Sequence, residues 1–153
     1  WVLSHAFNTR FRVARHDTIL KLDADVVLSD DILSVHGRPG PDGFFAGNWR
    51  IAAEDQAHVN GVFFAPRAAL ARAGGFNEFI TTYGWDDDDL YARLETLGYR
   101  RRDIAPSTVH HLPHADDLRT GGGVAPAGAG TSSRAVCATY PRLSSSNRAK
   151  DIC

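Results

Sequence analysis

A chain of 153 residues, 43% hydrophobic and 23% charged, has the composition of one globular domain and not that of a disordered or fibrous chain. Its formal net charge of -1 excludes the global basic field that draws a protein to nucleic acid or to an anionic membrane. No run approaches the length of a membrane span, no signal peptide opens the chain, and Cys137 and Cys153 form neither a disulfide framework nor a zinc spacing. The sequence holds no methionine and starts at Trp1, so a piece of a longer product is expected.

The first element in the pattern is TILKLDADVVL, residues 18–28, an apolar β-branched run interrupted by Lys21, Asp23 and Asp25. It predicts a buried strand ending near Leu22, with the aspartates at its carboxyl edge. Residues two apart in extended chain point the same way, so Asp23 and Asp25 can converge on one object. Hard oxygen ligands of that kind suit Mg or Mn, although a turn in which aspartate caps a backbone N–H uses the same letters.

DGFFAGNWR (42–50) and HVNGVFFAP (58–66) predict two further strands. Pro66 at the start and Gly74 after the last turn frame a short helix over 67–73. A longer helix begins at Asp86, where Leu90, Leu94 and Leu97 recur on one face and Gly98 stands at the left-handed cap position. GYRRRDI and STVHHL predict short strands, and the arginines at 100–102 read as a solvated edge. Strands alternating with short helices give the α/β class. From residue 119 the composition turns to glycine, alanine, serine and proline, which predicts a domain over 1–118 and a flexible tail over 119–153.

The run Asp86-Asp87-Asp88-Asp89 opens the longer helix. Unpaired N–H groups and the positive dipole end favour one or two carboxylates there, each by about 0.5 kcal/mol. Four exceed that need, because mutual repulsion grows while the number of free N–H groups does not. On the helical wheel Asp86 lies above Leu90 and Leu94, and Asp89 faces outward toward Arg93. Asp86 and Asp87 are therefore expected to line an interior cleft, with Asp88 and Asp89 shared between site and surface. Downstream, TVHHLPH supplies His110, His111 and His114 as candidate metal ligands. In an extended segment His110 and His111 point to opposite faces, so at most one of that pair faces the aspartates. Trp49 and Trp85 can be core residues or platforms for sugar rings, and Trp85 stands beside the acid run.

Taken in order, NTRFRVARHDTILKLDADVVLSDDIL, NGVFFAPRAALARAGGFNEFITTYGWDDDDLYARLETLGYR and VHHLPH resemble the inverting glycosyltransferases of GT-A fold, of the family-two type and the C-terminal half of β-1,4-galactosyltransferases. The resemblance covers about residues 8–114. It implies a mixed sheet flanked by helices, and a metal-dependent enzyme moving a sugar from a nucleotide-sugar donor, of UDP type, to a glycan or other hydroxyl acceptor.

In that family the strand-edge Asp-x-Asp, matched by Asp23 and Asp25, holds the divalent metal and the donor phosphates. The Gly-Gly-Phe-Asn-Glu segment, matched by Gly74 to Glu78, leads to a Glu-Asp pair, matched by Asp86 and Asp87, and a later histidine completes the metal site. The resemblance thus implies Asp25 and His111 as ligands of Mn or Mg, with Asp23 on the donor. Inversion requires a base for the acceptor hydroxyl, which points to Asp87, with Trp85, Asp86 and Asp88 on the acceptor side. The chain departs from the family pattern in carrying Asp86 where glutamate is usual and in a glycine-rich stretch shortened to Gly84-Trp85. Only 22 residues precede Asp23, so the nucleoside-binding half is expected to lie outside this chain.

Two other functions fit parts of the sequence. ILKLDADVV also suits the opening motif of haloacid-dehalogenase-type phosphotransferases, with Asp23 as nucleophile. A sugar-binding module without turnover would use the same aromatic and acidic side chains.

Overall fold

The computed structural model describes residues 3–80 and 84–114. The chain divides into two units, Trp1–Ala115 and Asp116–Cys153. The expected tail over 119–153, and its mobility, lie outside the described residues.

Within the first unit, α1 (Leu3–Val13) precedes β1 (Thr18–Lys21), β2 (Val26–Leu28), α2 (Ile32–His36) and β3 (Gly43–Ala46). A 3-10 segment (Glu54–Gly61) then leads to β4 (Phe63–Pro66), α3 (Arg67–Ala73), α4 (Asp86–Thr96), β5 (Arg100–Asp103), a 3-10 turn (Pro106–Thr108) and β6 (Val109–His111). One sheet has the order β1-β4-β3-β5, antiparallel except for the parallel pair β3 and β5. The second sheet is an antiparallel ribbon of β2 and β6.

The larger sheet is covered on both faces because successive side chains alternate. Phe44, Ala46, Phe63 and Ala65 pack with Leu70 of α3 and with Leu90, Tyr91 and Leu94 of α4. Phe45 and Val62 pack instead with Ile32, Val59, Ile104 and Val109 on the opposite face. Both faces of β3 are buried, which is why FFA reads as a continuous apolar run with no polar alternation.

The α3 boundaries follow the local signals, with Gly74 at φ 79° closing the helix in the left-handed region. Other expectations change. The run 18–28 is two short strands in different sheets, because the chain turns at Asp23, whose carbonyl accepts from Val26 N at 3.2 Å. Most of the stretch expected as strand at 58–62 belongs to the 3-10 segment. Neither α1 nor α2 is expected from local pattern.

α1 is held by tertiary contacts. Phe7 and Phe11, one turn apart, pack against Phe76. Buried Asn8 accepts from Phe76 N at 2.7 Å and donates to Phe76 O at 2.9 Å, so its amide replaces a strand partner for that residue. Gly75 makes room for it, since a Cβ there would lie 2.2 Å from Asn8 Oδ1. Asn8→Ala would leave both backbone groups of Phe76 unpaired in the interior, and we expect a loss of about 3 kcal/mol in chemical denaturation. A loss under about 0.5 kcal/mol, the level of an ordinary surface change, would refute this role.

Candidate functional site

The β2–β6 ribbon builds the first half of the site. Its register places Val26 opposite His111, and Leu112 N donates to Asp25 O at 2.7 Å, so Asp25 lies against the carboxyl end of β6. His111 Nε2 lies 3.2 Å, and His114 Nε2 2.7 Å, from the same oxygen, Asp25 Oδ2. One ligand atom from each of Asp25, His111 and His114 falls within 4.8 Å of the others, a spacing that suits a single cation. Burial works against the Asp25 charge, but the hydrogen bonds from His114 and its own backbone, with His111 beside it, hold the carboxyl below its ordinary value. An ionised carboxylate and two imidazoles are what a divalent metal requires of its ligands.

His111 is itself fixed by Gln56. The Gln56 side chain accepts from His111 N at 2.7 Å and donates to His111 O at 3.4 Å, acting as one residue of a neighbouring strand on the edge of β6 opposite β2. Gln56→Ala should weaken Mn(II) binding about tenfold, read by titration of the metal alone, as is usual when an outer partner of a ligand is lost. An unchanged dissociation constant would show that β6 holds His111 without it.

The second half is built by β1 and α4. Lys21, the last residue of β1, is buried, with a side chain only 3% exposed. Its Nζ lies 2.9 Å from Asp23 Oδ1 and 3.5 Å from Asp87 Oδ1. It also stands 4.7 Å from the Phe7 ring centroid and 5.9 Å from that of Phe76. Gly61 closes one side: a Cβ there would come to 2.2 Å from Asp23 Oδ2 and 3.0 Å from Nζ.

Burial pushes the Asp87 carboxyl up; Lys21 opposes that push, Asp86 and Asp23 add to it, and the result is a pKa of about 7. Lys21 loses by burial but gains more from Asp87 and Asp23, so its pKa stands above the ordinary lysine value.

The aspartates of the run therefore have separate roles. Asp87 faces the buried lysine. Asp89 takes two hydrogen bonds from Arg93, at 2.9 and 2.6 Å, while the same arginine reaches Ala73 O. Asp86 and Asp88 are half-buried between these directions. None of the four caps the helix in the usual way: the N-cap is Trp85, at φ 72° and with no side-chain cap hydrogen bond. A tryptophan in the left-handed region carries a backbone cost on the order of 1–3 kcal/mol, and such strain clusters at functional sites. The residue is 36% exposed, so Trp85 is no core residue, and Trp49 is half-buried under the Arg50 guanidinium at 4.5 Å.

Among the sequence candidates, Asp25 and His111 come together, and His114 joins them where one histidine was expected. His110 is exposed on the other face of β6. Asp23 does not point with Asp25: because the chain turns between them, the extended-strand argument fails, and the Asp23 carboxylate goes to Lys21. The sequence pattern does not mark Lys21 or Gln56 as site residues. A lysine inside an apolar strand was the available signal for the first, and nothing local marks the second.

Residues 43–115 match the family model described as the N-terminal domain of galactosyltransferase. No curated protein sequence matches the chain. Among solved structures, a mutant of Drosophila β1,4-galactosyltransferase 7 in complex with manganese, UDP-Gal and xylobiose is similar with a TM-score of 0.59 at 18% identity, over 76% of this chain and 52% of that one. The catalytic domain of the same Drosophila enzyme in complex with xylobiose is similar with a TM-score of 0.59 at 19% identity, over the same shares. The chain thus spans about half the length of these structures. Family segment and fold agree: residues 43–115 are galactosyltransferase-like, and the fold that carries them is that of the GT-A glycosyltransferases.

Proposed function

We propose that the chain carries the catalytic side of a metal-dependent glycosyltransferase that moves a sugar from a UDP-type nucleotide-sugar donor to a hydroxyl acceptor with inversion. The observation that carries this reading is the segment 21–25, which sends Asp25 to two histidines and Asp23, through Lys21, to the helix-borne Asp87. A cation site and a basic carboxylate are thereby tied to one short stretch of backbone.

Asp25, His111 and His114 would hold the metal, Mn in preference to Mg because two of the three donors are imidazole nitrogens. When bound, the metal supplies positive charge against the oxygens of the donor diphosphate. Asp23, at the strand edge, lies on the donor side. The acceptor hydroxyl oxygen attacks the anomeric carbon from the face opposite the diphosphate. A bond to that oxygen forms as the bond to the phosphate oxygen breaks, and the hydroxyl proton passes to Asp87. A carboxyl with a pKa of about 7 suits that proton better than an ordinary aspartate does. Trp85 would offer its exposed ring to the acceptor sugar, with Asp86 and Asp88 toward its hydroxyls.

The test is a panel of nucleotide sugars with Mn(II) and glycan acceptors, run beside a generic phosphate monoester on the full-length protein that carries this chain. Sugar transfer with an inverted anomeric centre is the expected result. Monoester hydrolysis would favour the phosphotransferase, and saturable glycan binding without turnover would favour a binding module.

A further inference from the structure

Lys21 performs no task in the transfer as just described, yet it sits at the junction of the site's two halves. On grounds of stability alone, apolar side chains in place of the lysine and its carboxylate partners together would suit the end of β1, because burying an ion pair seldom repays its desolvation. The ammonium is nevertheless enclosed on every side the structure describes. Asp23 and Asp87 accept from it, the Phe7 and Phe76 rings lie against it, and Gly61 leaves it just enough room. Each wall comes from a different part of the chain: α1, the turn after β1, the end of the 3-10 segment, the turn after α3 and the first turn of α4.

We propose that Lys21 is a positioning residue for sugar transfer, a buried cation that fixes one oxygen of Asp87 so that the other is presented to the acceptor hydroxyl, in register with Asp23 on the donor side. The inference rests on the glycosyltransferase reading and deepens it. Asp87 stands on the first turn of α4, and its Oδ1 accepts from Lys21 Nζ at 3.5 Å. That contact comes from β1, the strand that leads into Asp23 and Asp25. Base and donor side are thereby referred to one rigid strand end, and small errors in such an alignment cost rate.

The experiment is a double-mutant cycle on the full-length protein that carries this chain, with Lys21→Met, Asp87→Asn and the pair. For each, kcat, the KM values, Mn(II) affinity without donor, and the thermal midpoint are measured. We expect Lys21→Met to fold, to bind Mn(II) within about threefold of the unaltered protein, and to lose roughly a hundredfold in kcat, the scale of a misplaced reacting group. In the Asp87→Asn background the same change should cost no more than about threefold further, since the two residues act as a unit.

A purely structural lysine would lower the thermal midpoint equally in both backgrounds and leave kcat per folded molecule alone, and that result overturns the proposal. Losses in kcat that simply multiply overturn it too. Should Lys21→Met not fold, Lys21→Gln keeps a donor without the charge and completes the same cycle; if neither folds, the lysine is a folding element and the proposal is wrong. Near-normal kcat in Asp87→Asn alone would instead refute the assignment of the base, which separates failure of that reading from failure of this one.

Discussion

Asp87→Asn is expected to lower kcat of the full-length protein by about a hundredfold or more, the usual worth of a positioned base, while Mn(II) affinity and donor KM stay close to those of the unaltered protein. The amide keeps the shape and a hydrogen-bonding group toward Lys21, and removes only the basicity. The pH profile carries the same information. With a pKa of about 7, Asp87 is largely protonated at pH 6, so kcat/KM should fall about tenfold per pH unit on the acid side and level off above neutrality.

The sign for stability is the reverse of that for a salt-bridged carboxylate. The folded protein holds the Asp87 proton more tightly than the unfolded chain does, so the contribution of this group is most favourable at acid pH. It declines as pH rises from the ordinary value near 3.8 to about 7, then stays flat. Asp87→Asn should abolish that decline, seen as a smaller change in the denaturation midpoint between pH 4 and 7. If the variant turns over normally while Asp86→Asn or Asp88→Asn does not, the base has been placed one residue off. If all four aspartates tolerate the change, the run serves only the helix.

In the proposed site, loss of any one of Asp25, His111 and His114 would remove a ligand outright, which should exceed the tenfold to hundredfold typical of an outer partner. Asp25→Asn, His111→Ala and His114→Ala should each weaken Mn(II) binding by about a hundredfold or more, measured by titration of the metal alone. His110→Ala should leave it within about twofold, because that imidazole lies on the exposed face of β6. The dissociation constant should rise as pH falls, since every ligand must be deprotonated to bind. Full affinity in His114→Ala would reduce the site to Asp25 and His111. Full affinity in all three variants would move the metal elsewhere.

Local chemistry alone determined the elements with strong punctuation. α3 is framed by Pro66 and Gly74, and α4 by its leucine period and Gly98, because proline and a left-handed glycine act on the backbone regardless of tertiary setting. The ordered motifs from Asp23 to His114 were also enough for the GT-A resemblance that fold and family segment support. The alternation of His110 and His111 was legible too, since period two belongs to any strand.

Which of those histidines meets Asp25 was decided by the register of β2 on β6, between residues 86 and 89 positions apart, and no local rule sets that. α1 forms where its two phenylalanines and Asn8 find Phe76, so a helix with a weak pattern of its own is stabilised from outside. The parting of Asp23 from Asp25 has the same origin. Two residues apart in extended chain they would share a face, but a turn of backbone and a buried ammonium separate them. Periodicity describes a segment by itself, whereas the direction of a charged side chain depends on which opposite charge the fold brings within reach, and here that partner is Lys21.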